Sequence, residues 1–183
     1  MAHVFVITGP SGVGKGTLIR LLRAQLPELE LSVSATTRQP RPGEVDGVDY
    51  HFLDDATFAA RVQEGAFVEH ATYAGRSYGT LRAELERRTA AGHPVVLEIE
   101  VQGARQVRTA MPEAVQIFIA PPSPETLRTR LVGRGTDDAD GVAARLAVAE
   151  SELAAQDEFQ HKVVNDDLDA AVQDLVRIVR AAG

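Results

Sequence analysis

The stretch Gly9-Pro10-Ser11-Gly12-Val13-Gly14-Lys15-Gly16-Thr17, called the 9–17 loop below, decides the fold. It follows the short apolar run Val4–Thr8 and opens residues 14–26, whose apolar positions recur at helical spacing, so the pattern predicts strand, turn and helix. In such a turn, glycines let successive backbone N–H groups point at an anion, and the helix N-terminus adds partial positive charge. The order of strand, glycines, lysine and helix therefore predicts a phosphate-binding loop rather than an ordinary glycine-rich turn.

Lys15 is the residue of this loop that we expect to reach the outer phosphates of a nucleotide as a compact charge. The chain has 19 basic residues, of which only Lys15 and Lys162 are lysines. Because arginine fills the other basic positions, a lysine at this point of the loop is informative. One feature departs from the usual loop: the position that normally supplies a hydroxyl to Mg²⁺ is Gly16, and the hydroxyl comes one residue later, at Thr17. We therefore expect the nucleotide and water to hold Mg²⁺, with Thr17 as a candidate ligand.

Composition limits the classes of protein to which the chain can belong. At 183 residues it is long enough for one domain with a buried core, since a domain averages roughly 150 residues. Hydrophobic residues make up 44% and charged residues 25%, as in ordinary globular proteins. The net charge of −7 argues against a broad surface for nucleic acid or an anionic membrane, so any phosphate site is local. The chain has no cysteine, which excludes disulfides, thiol catalysis and cysteine-ligated metals, and it has neither a signal peptide pattern nor a membrane-length apolar run, so we expect a cytoplasmic protein.

The rest of the chain alternates short apolar runs with segments of helical period, which favours an α/β fold with a parallel sheet. Besides Val4–Thr8, this pattern predicts apolar strands over residues 31–35, 94–100, 115–120 and 162–165. Residues 36–53 are rich in proline and glycine and predict a loop with one short antiparallel strand. Two further strands, over 66–70 and 73–78, are assigned to the same small lobe.

A second candidate phosphate site lies in the stretch 34–52, where Arg38, Arg41 and Tyr50 stand in a frame stiffened by proline and glycine. Two guanidinium groups three residues apart, with a tyrosyl hydroxyl nearby, could clamp a second phosphate. The alternative is a solvated loop, because surface ion pairs are common. In that case the arginines would pair with the nearby acidic residues Glu44, Asp46 and Asp49. The residues alone leave both interpretations open.

Taken with the 9–17 loop, the stretch 34–52 resembles the guanylate kinase family. The resemblance covers nearly the whole chain and rests on further strings: Glu69, Gly75-Arg76-Ser77-Tyr78-Gly79-Thr80, Glu98-Ile99-Glu100-Val101-Gln102-Gly103, Ile119-Ala120-Pro121-Pro122-Ser123, residues 131–136, and Val164-Asn165-Asp166-Asp167-Leu168. It implies transfer of the γ-phosphoryl group of ATP to GMP, giving ADP and GDP, with Mg²⁺ as the cofactor and dGMP as a further acceptor.

The same resemblance implies an α/β fold of three parts. These are a parallel-sheet P-loop core with helices on both faces (1–33, 81–122 and 149–183), a small mixed α/β GMP-binding lobe (about 34–80) and a helical lid (about 123–148). Such an enzyme needs no catalytic base, because a monophosphate oxygen is already an anionic nucleophile and catalysis can be positioning plus charge neutralisation.

Site residues follow from the resemblance position by position. The ATP ligands it implies are Gly9, Pro10, Ser11, Gly12, Val13, Gly14, Lys15, Gly16, Thr17, Arg130, Arg134 and Asn165. The GMP ligands it implies are Ser34, Arg38, Arg41, Tyr50, Glu69, Tyr78, Thr80 and Glu100. Of these, Glu69, Ser34 and Thr80 are expected to read the guanine base. The positive charges expected to act in catalysis are Lys15, Arg41, Arg134 and Arg145.

Glu100 departs from the family pattern, which usually has aspartate at this position. A carboxylate at the end of a parallel strand is well placed for a Mg²⁺-bound water or a guanine amine. The alternative is a charge that faces solvent at the strand terminus. The extra methylene of glutamate leaves its contact open.

Three other functions share some of these sequence features. A regulatory GTPase is disfavoured, because the late Asn165 is followed by Asp166-Asp167 rather than by the expected guanine-reading motif. A nucleoside monophosphate kinase with another base preference and a non-catalytic guanylate-kinase-like binding module are the two alternatives kept. We expect small-molecule substrates, no nucleic acid and no membrane as partners, and the sequence leaves monomer and homodimer open.

Overall fold

The computed structural model describes residues 3–73, 75–132 and 139–182. Within these residues the chain forms nine strands and seven helices. The strands are β1 Val4–Thr8, β2 Glu30–Leu31, β3 Ala35–Thr36, β4 His51–Phe52, β5 Phe67–Tyr73, β6 Arg76–Leu81, β7 Val95–Glu98, β8 Val115–Ala120 and β9 His161–Val164. The helices are α1 Lys15–Gln25, α2 Asp55–Gln63, α3 Arg82–Ala90, α4 Val101–Ala110, α5 Pro124–Val132, α6 Ala139–Ala154 and α7 Leu168–Ala182.

The larger sheet is parallel throughout and has the strand order β2-β7-β1-β8-β9. Its central strand β1 is buried on both faces, as expected of a parallel strand covered by helices. Phe5 and Ile7 pack on one side with α1 and α7, whereas Val4 and Val6 pack on the other with α3 and α4. The predicted α/β class, a parallel sheet with helices on both faces, is therefore confirmed.

A second sheet has the order β4-β3-β6-β5 and is built from short strands. The single strand predicted over 31–35 is wrong, because the chain divides there: β2 joins the parallel sheet and β3 joins the second sheet. The short strand expected to be antiparallel, β4, runs parallel to β3. The connection from β3 to β4 spans residues 37–50 and is long enough to join two parallel strands, whereas a tight hairpin would give an antiparallel pair.

The helices α2 and α5 begin at residues whose side chains cap them. The Asp54 side chain accepts a hydrogen bond from the Thr57 N–H at 2.7 Å, and the Ser123 hydroxyl accepts one from the Thr126 N–H at 3.1 Å. These bonds satisfy backbone donors that a helix leaves unpaired in its first turn. None of the helices in the described part of the chain has both the length and the apolar character needed to span a bilayer.

Candidate active site

The 9–17 loop joins β1 to α1 in a shape that requires glycine. Gly9, Gly12 and Gly14 have φ angles of 145°, 82° and 102°, which L side chains rarely adopt. Space is also closed at two of them: a Cβ on Gly9 would lie 2.3 Å from the carbonyl oxygen of Ile119, and one on Gly14 would lie 2.6 Å from Nδ2 of Asn165. The glycines therefore give the loop both its curvature and its close approach to β8 and to Asn165.

Asn165 and Arg130 hold the loop from outside. The Asn165 side chain is buried, and its Nδ2 donates to the Val13 carbonyl oxygen at 2.8 Å. Arg130 Nη2 in turn donates to the carbonyl oxygen of Asn165 at 3.3 Å. Both residues were expected as ATP ligands, and here they contact backbone. Asn165 thus fixes the position of the loop at Val13.

Lys15 faces a cavity of about 370 Å³ that opens over the loop. Its Nζ donates to the carbonyl oxygen of Gly9 at 2.6 Å and to that of Pro10 at 3.3 Å. The same cavity wall carries four carboxylates and one lysine; the carboxylates are those of Asp49, Glu98, Glu100 and Glu152. The surroundings of Lys15 are therefore acidic, although the loop itself has the form of an anion site.

Glu98 is a site residue that sequence reasoning passed over in favour of Glu100. It ends β7, and both of its carboxylate oxygens lie 3.9 Å from where a Cβ on Gly16 would be. Desolvation in the cleft raises the pKa of Glu98, and the neighbouring Lys15 charge lowers it. Glu100 lies two residues further along the chain, directly before the first turn of α4. Side chains at positions i and i+2 of a strand point to the same face. The sequence alone therefore could not show which of the two carboxylates lies closer to the loop.

Glu152, near the end of α6, is a second such residue. It lines the first cavity together with Ser11 and Lys15 of the 9–17 loop. Desolvation by burial, followed by repulsion from Glu100, raises the pKa of Glu152 to about 7, although Lys15 and the Ser11 N–H act in the opposite direction. No local signal in the sequence marks Glu152 as a site residue.

A second cavity of about 220 Å³ adjoins the first. Ser34, Tyr50, Glu98 and Glu100 are among the residues that line both cavities. The second extends to Glu69 and Tyr78, residues of β5 and β6. Of the predicted binding residues of the two substrates, eight line these two adjoining cavities: Gly9, Ser11, Lys15, Ser34, Tyr50, Glu69, Tyr78 and Glu100.

Glu69 is buried at 5% exposure and lies opposite Thr80 in the register of β5 and β6. The Thr80 hydroxyl donates to Oε1 of Glu69 at 2.7 Å. Burial raises the pKa of the Glu69 carboxyl, and this hydrogen bond opposes the shift. Thr80 is among the residues expected to read the guanine base, and in this arrangement its single hydroxyl proton is given to Glu69.

Gly103, in the first turn of α4, leaves room for the same carboxylate. A Cβ on Gly103 would lie 2.7 Å from Oε2 of Glu69, well inside ordinary contact distance. One oxygen of Glu69 is therefore held by Thr80, and the other lies against a helix that a larger side chain would push away. The orientation of Glu69 depends on both neighbours.

Arg38 forms the ion pair that the solvated-loop interpretation anticipated. Its guanidinium donates to both Glu44 oxygens, at 3.0 Å and 2.8 Å, which raises the pKa of Arg38 and lowers that of Glu44. The same guanidinium lies 5.2 Å from the centre of the Tyr50 ring, and this ring meets Tyr78 edge-on at 6.3 Å. Asp46 and Asp49 bond to backbone N–H groups of their own loop instead of to arginines.

The remaining predicted residues are less constrained. Arg41 is exposed, and its backbone N–H donates to Glu44 at 2.7 Å. Thr17 lies exposed in the first turn of α1. Arg134 lies outside the described residues, as does the side chain of Arg145, so their predicted roles stay predictions.

The chain is similar to known proteins over its whole length. The family model for guanylate kinase matches residues 1–182. A guanylate kinase of Synechococcus sp. is 56% identical over 96% of this chain and 95% of its own length, and that of Frankia casuarinae is 54% identical over 95% of each chain. The crystal structure of guanylate kinase from Anaplasma phagocytophilum superposes with a TM-score of 0.77 at 33% identity, covering 98% of this chain and 85% of that one. The matching family model, these relatives and this structure together show that the chain belongs to the guanylate kinase family.

Proposed function

We propose that this guanylate kinase binds ATP over the 9–17 loop and GMP in the adjoining cavity, and that the γ-phosphoryl group passes between them along the cleft. The reaction of the family, ATP and GMP to ADP and GDP, is the function of the chain. The observation that carries the assignment of sites is the shared wall of the two cavities, Ser34, Tyr50, Glu98 and Glu100. Reacting atoms must come within about 3–3.5 Å of each other, and adjoining cavities allow it.

The donor end of the cleft is suited to a polyphosphate. The positive-φ glycines turn the loop backbone toward the cavity, and Lys15 and the N-terminus of α1 add positive charge. Asn165 and Arg130 would act here by keeping the loop in shape, since both bond to backbone. Arg134 and Arg145 are proposed to come from the 123–148 segment to neutralise the transferring group.

The acceptor end is suited to guanine. The N1–H and the N2 amine of guanine are neighbouring donors, and the buried Glu69 carboxylate can accept from both. Thr80 would orient Glu69 through its hydroxyl, leaving Ser34 as the hydroxyl placed to donate to O6 of the base. Adenine would set a bare N1 against the carboxylate, and buried mismatches of that kind discriminate strongly.

The phosphate of GMP is proposed to lie between Arg38, Arg41, Tyr50 and Tyr78. Arg38 is already oriented by Glu44 and by the Tyr50 ring, which lowers the entropy that a phosphate contact would cost. Arg41 is exposed and lies three residues after Arg38 in the chain, so it can approach the phosphate from the solvent side. The two arginines would then form the clamp, with Glu44 as the group that positions one of them.

Mg²⁺ fits the oxygen groups at the donor end. It prefers one or two carboxylates together with phosphate oxygens and water. Glu98 and Glu100 line the donor cavity with Lys15, and Glu98 also lies near Gly16. Glu98 is the better placed of the two, and Thr17 stays a candidate. When bound, the cation would offset the negative charge of the phosphates, which the acidic wall of the cavity otherwise repels.

The deciding experiment is a coupled assay of ATP with GMP, dGMP, AMP, UMP and CMP, with and without Mg²⁺. Phosphorylation of GMP at least about a thousandfold above AMP in kcat/KM is the expected outcome. A preference for AMP, UMP or CMP would indicate a nucleoside monophosphate kinase of another specificity, and no turnover with any acceptor would indicate a binding module. The three-part division of the chain and the cytoplasmic location remain predictions.

A further inference from the structure

Glu152, on α6, lies beside the 9–17 loop and has no role in the proposed binding of the substrates. Its side chain lines the donor cavity together with Ser11 and Lys15 of that loop. The backbone N–H groups of such a loop and its lysine have the chemistry that attracts phosphate oxygens. A carboxyl group at this place stands where a polyphosphate would bind.

The position of Glu152 is set by the packing of its helix. Ala149, one turn earlier, is buried at 2% exposure, and Leu153 packs against the hydrophobic clusters on both faces of the sheet. The end of α6 is therefore anchored in the core, and the Glu152 side chain is directed into the cleft together with Glu98 and Glu100. Because this end of α6 is packed in the core, the Glu152 carboxyl group stays in the donor site.

We propose that Glu152 is an internal competitor of the donor polyphosphate: its carboxyl group occupies space in the donor cavity, beside Ser11 and Lys15, that the phosphates of ATP need. The proposal rests on the assignment of ATP to this loop. Because the end of α6 is anchored in the core, only the Glu152 side chain has to move away from the phosphates. Glu152 therefore lowers the affinity for ATP.

The experiment compares the wild type with Glu152→Gln and Glu152→Ala by titration calorimetry at pH 8 with three probes: ATP, inorganic tripolyphosphate and GMP. The glutamine keeps the size of the side chain and removes its charge, and the alanine removes both. Glu150→Gln is the matched control, because Glu150 lies exposed on the same helix and the change in net charge is the same.

We expect Glu152→Gln and Glu152→Ala to bind ATP and tripolyphosphate about tenfold more tightly than the wild type. The Glu150→Gln control should stay within twofold, and so should GMP in every variant, since Glu152 is not among the described residues that line the second cavity. A gain in affinity is informative, because a damaged fold would weaken binding. Unchanged or weaker binding of both polyphosphates in the Glu152 variants would overturn the proposal.

Failure of the proposed function can be distinguished from failure of the proposal for Glu152. Wild-type turnover of GMP with ATP tests the function, whereas tripolyphosphate binding tests Glu152 without any reaction. If the wild type binds tripolyphosphate but does not phosphorylate GMP, the assignment of function fails and the competition by Glu152 is still measured. If tripolyphosphate binding in the wild type resists competition by ATP, the two ligands do not share the loop, and the proposal fails with that assignment.

Discussion

The contact between Gly103 and Glu69 predicts that the smallest possible enlargement, Gly103→Ala, selectively damages the acceptor site. The added Cβ would lie 2.7 Å from Oε2 of Glu69 and 3.3 Å from its carboxyl carbon. An ordinary carbon–oxygen contact needs about 3.4 Å or more, so the carboxylate has to shift by roughly 0.7 Å. The 2.7 Å hydrogen bond from Thr80 ties the other oxygen, so the shift cannot be a simple rotation away from the helix.

The size of the effect follows from the hydrogen bonds that Glu69 is proposed to make with guanine. Loss of one hydrogen bond to a charged group costs about 1.5–3 kcal/mol, which corresponds to roughly 10- to 150-fold in kcat/KM for GMP. ATP affinity should change less than twofold, because Gly103 is not among the described residues that line the donor cavity. Alanine also favours the helix over glycine by about 1 kcal/mol, so the fold should be retained.

Steady-state kinetics with GMP as the varied substrate, together with ATP titration and thermal unfolding, measures this prediction. Gln102→Ala is the control, because Gln102 is the exposed neighbour of Gly103 in the same turn and its change also ends in alanine. A Gly103→Ala protein with wild-type kcat/KM for GMP would refute the reasoning, since Glu69 would then tolerate displacement. An equal loss toward ATP and GMP would show general damage instead of a local one.

Two further predictions concern the donor end. Lys15→Ala should lower kcat by at least about a hundredfold at an unchanged melting temperature, as expected for the loss of one strong transition-state contact, and near-normal turnover of a folded variant would remove Lys15 from the mechanism. The raised pKa of Glu152, about 7, predicts a pH-dependent stability. The folded state holds this proton more tightly than the unfolded state, whose carboxyl titrates near its ordinary value, so the stabilisation is present at low pH and is lost as pH rises toward 7. Glu152→Gln should therefore melt about 2–4 °C above the wild type at pH 8, corresponding to about 1 kcal/mol after allowance for solvent screening, and at the same temperature at pH 4.5; equal melting temperatures at both pH values would contradict the shift.

Local patterns were sufficient for much of the fold and for the loop. The run Val4–Thr8, the glycines that follow it and the helical spacing after Lys15 are each encoded by neighbouring residues, so strand, turn and helix could be predicted together. The division of residues 30–36 between two sheets could not be predicted, because it depends on which distant strands, β7 and β6, pair with each half.

The same distinction applies to the site. Glu69 and Thr80 could be proposed from family resemblance, but the hydrogen bond between them depends on the register of β5 against β6. Glu152 lies far from Ser11 in sequence and lines the same cavity only because α6 packs back over the cleft. A contact of that kind leaves no pattern in the residues around either partner, so sequence reasoning had no signal from which to find it.

The most direct test of the central claim, a guanine-reading phosphotransferase, is kcat/KM for GMP and for AMP with ATP as the donor, in the wild type and in Glu69→Gln. An amide can accept from only one of the two guanine donors, so the wild type should prefer GMP by roughly four orders of magnitude and the variant should lose much of that preference. Full discrimination retained by a folded Glu69→Gln protein, or equal turnover of both acceptors by the wild type, would contradict the account.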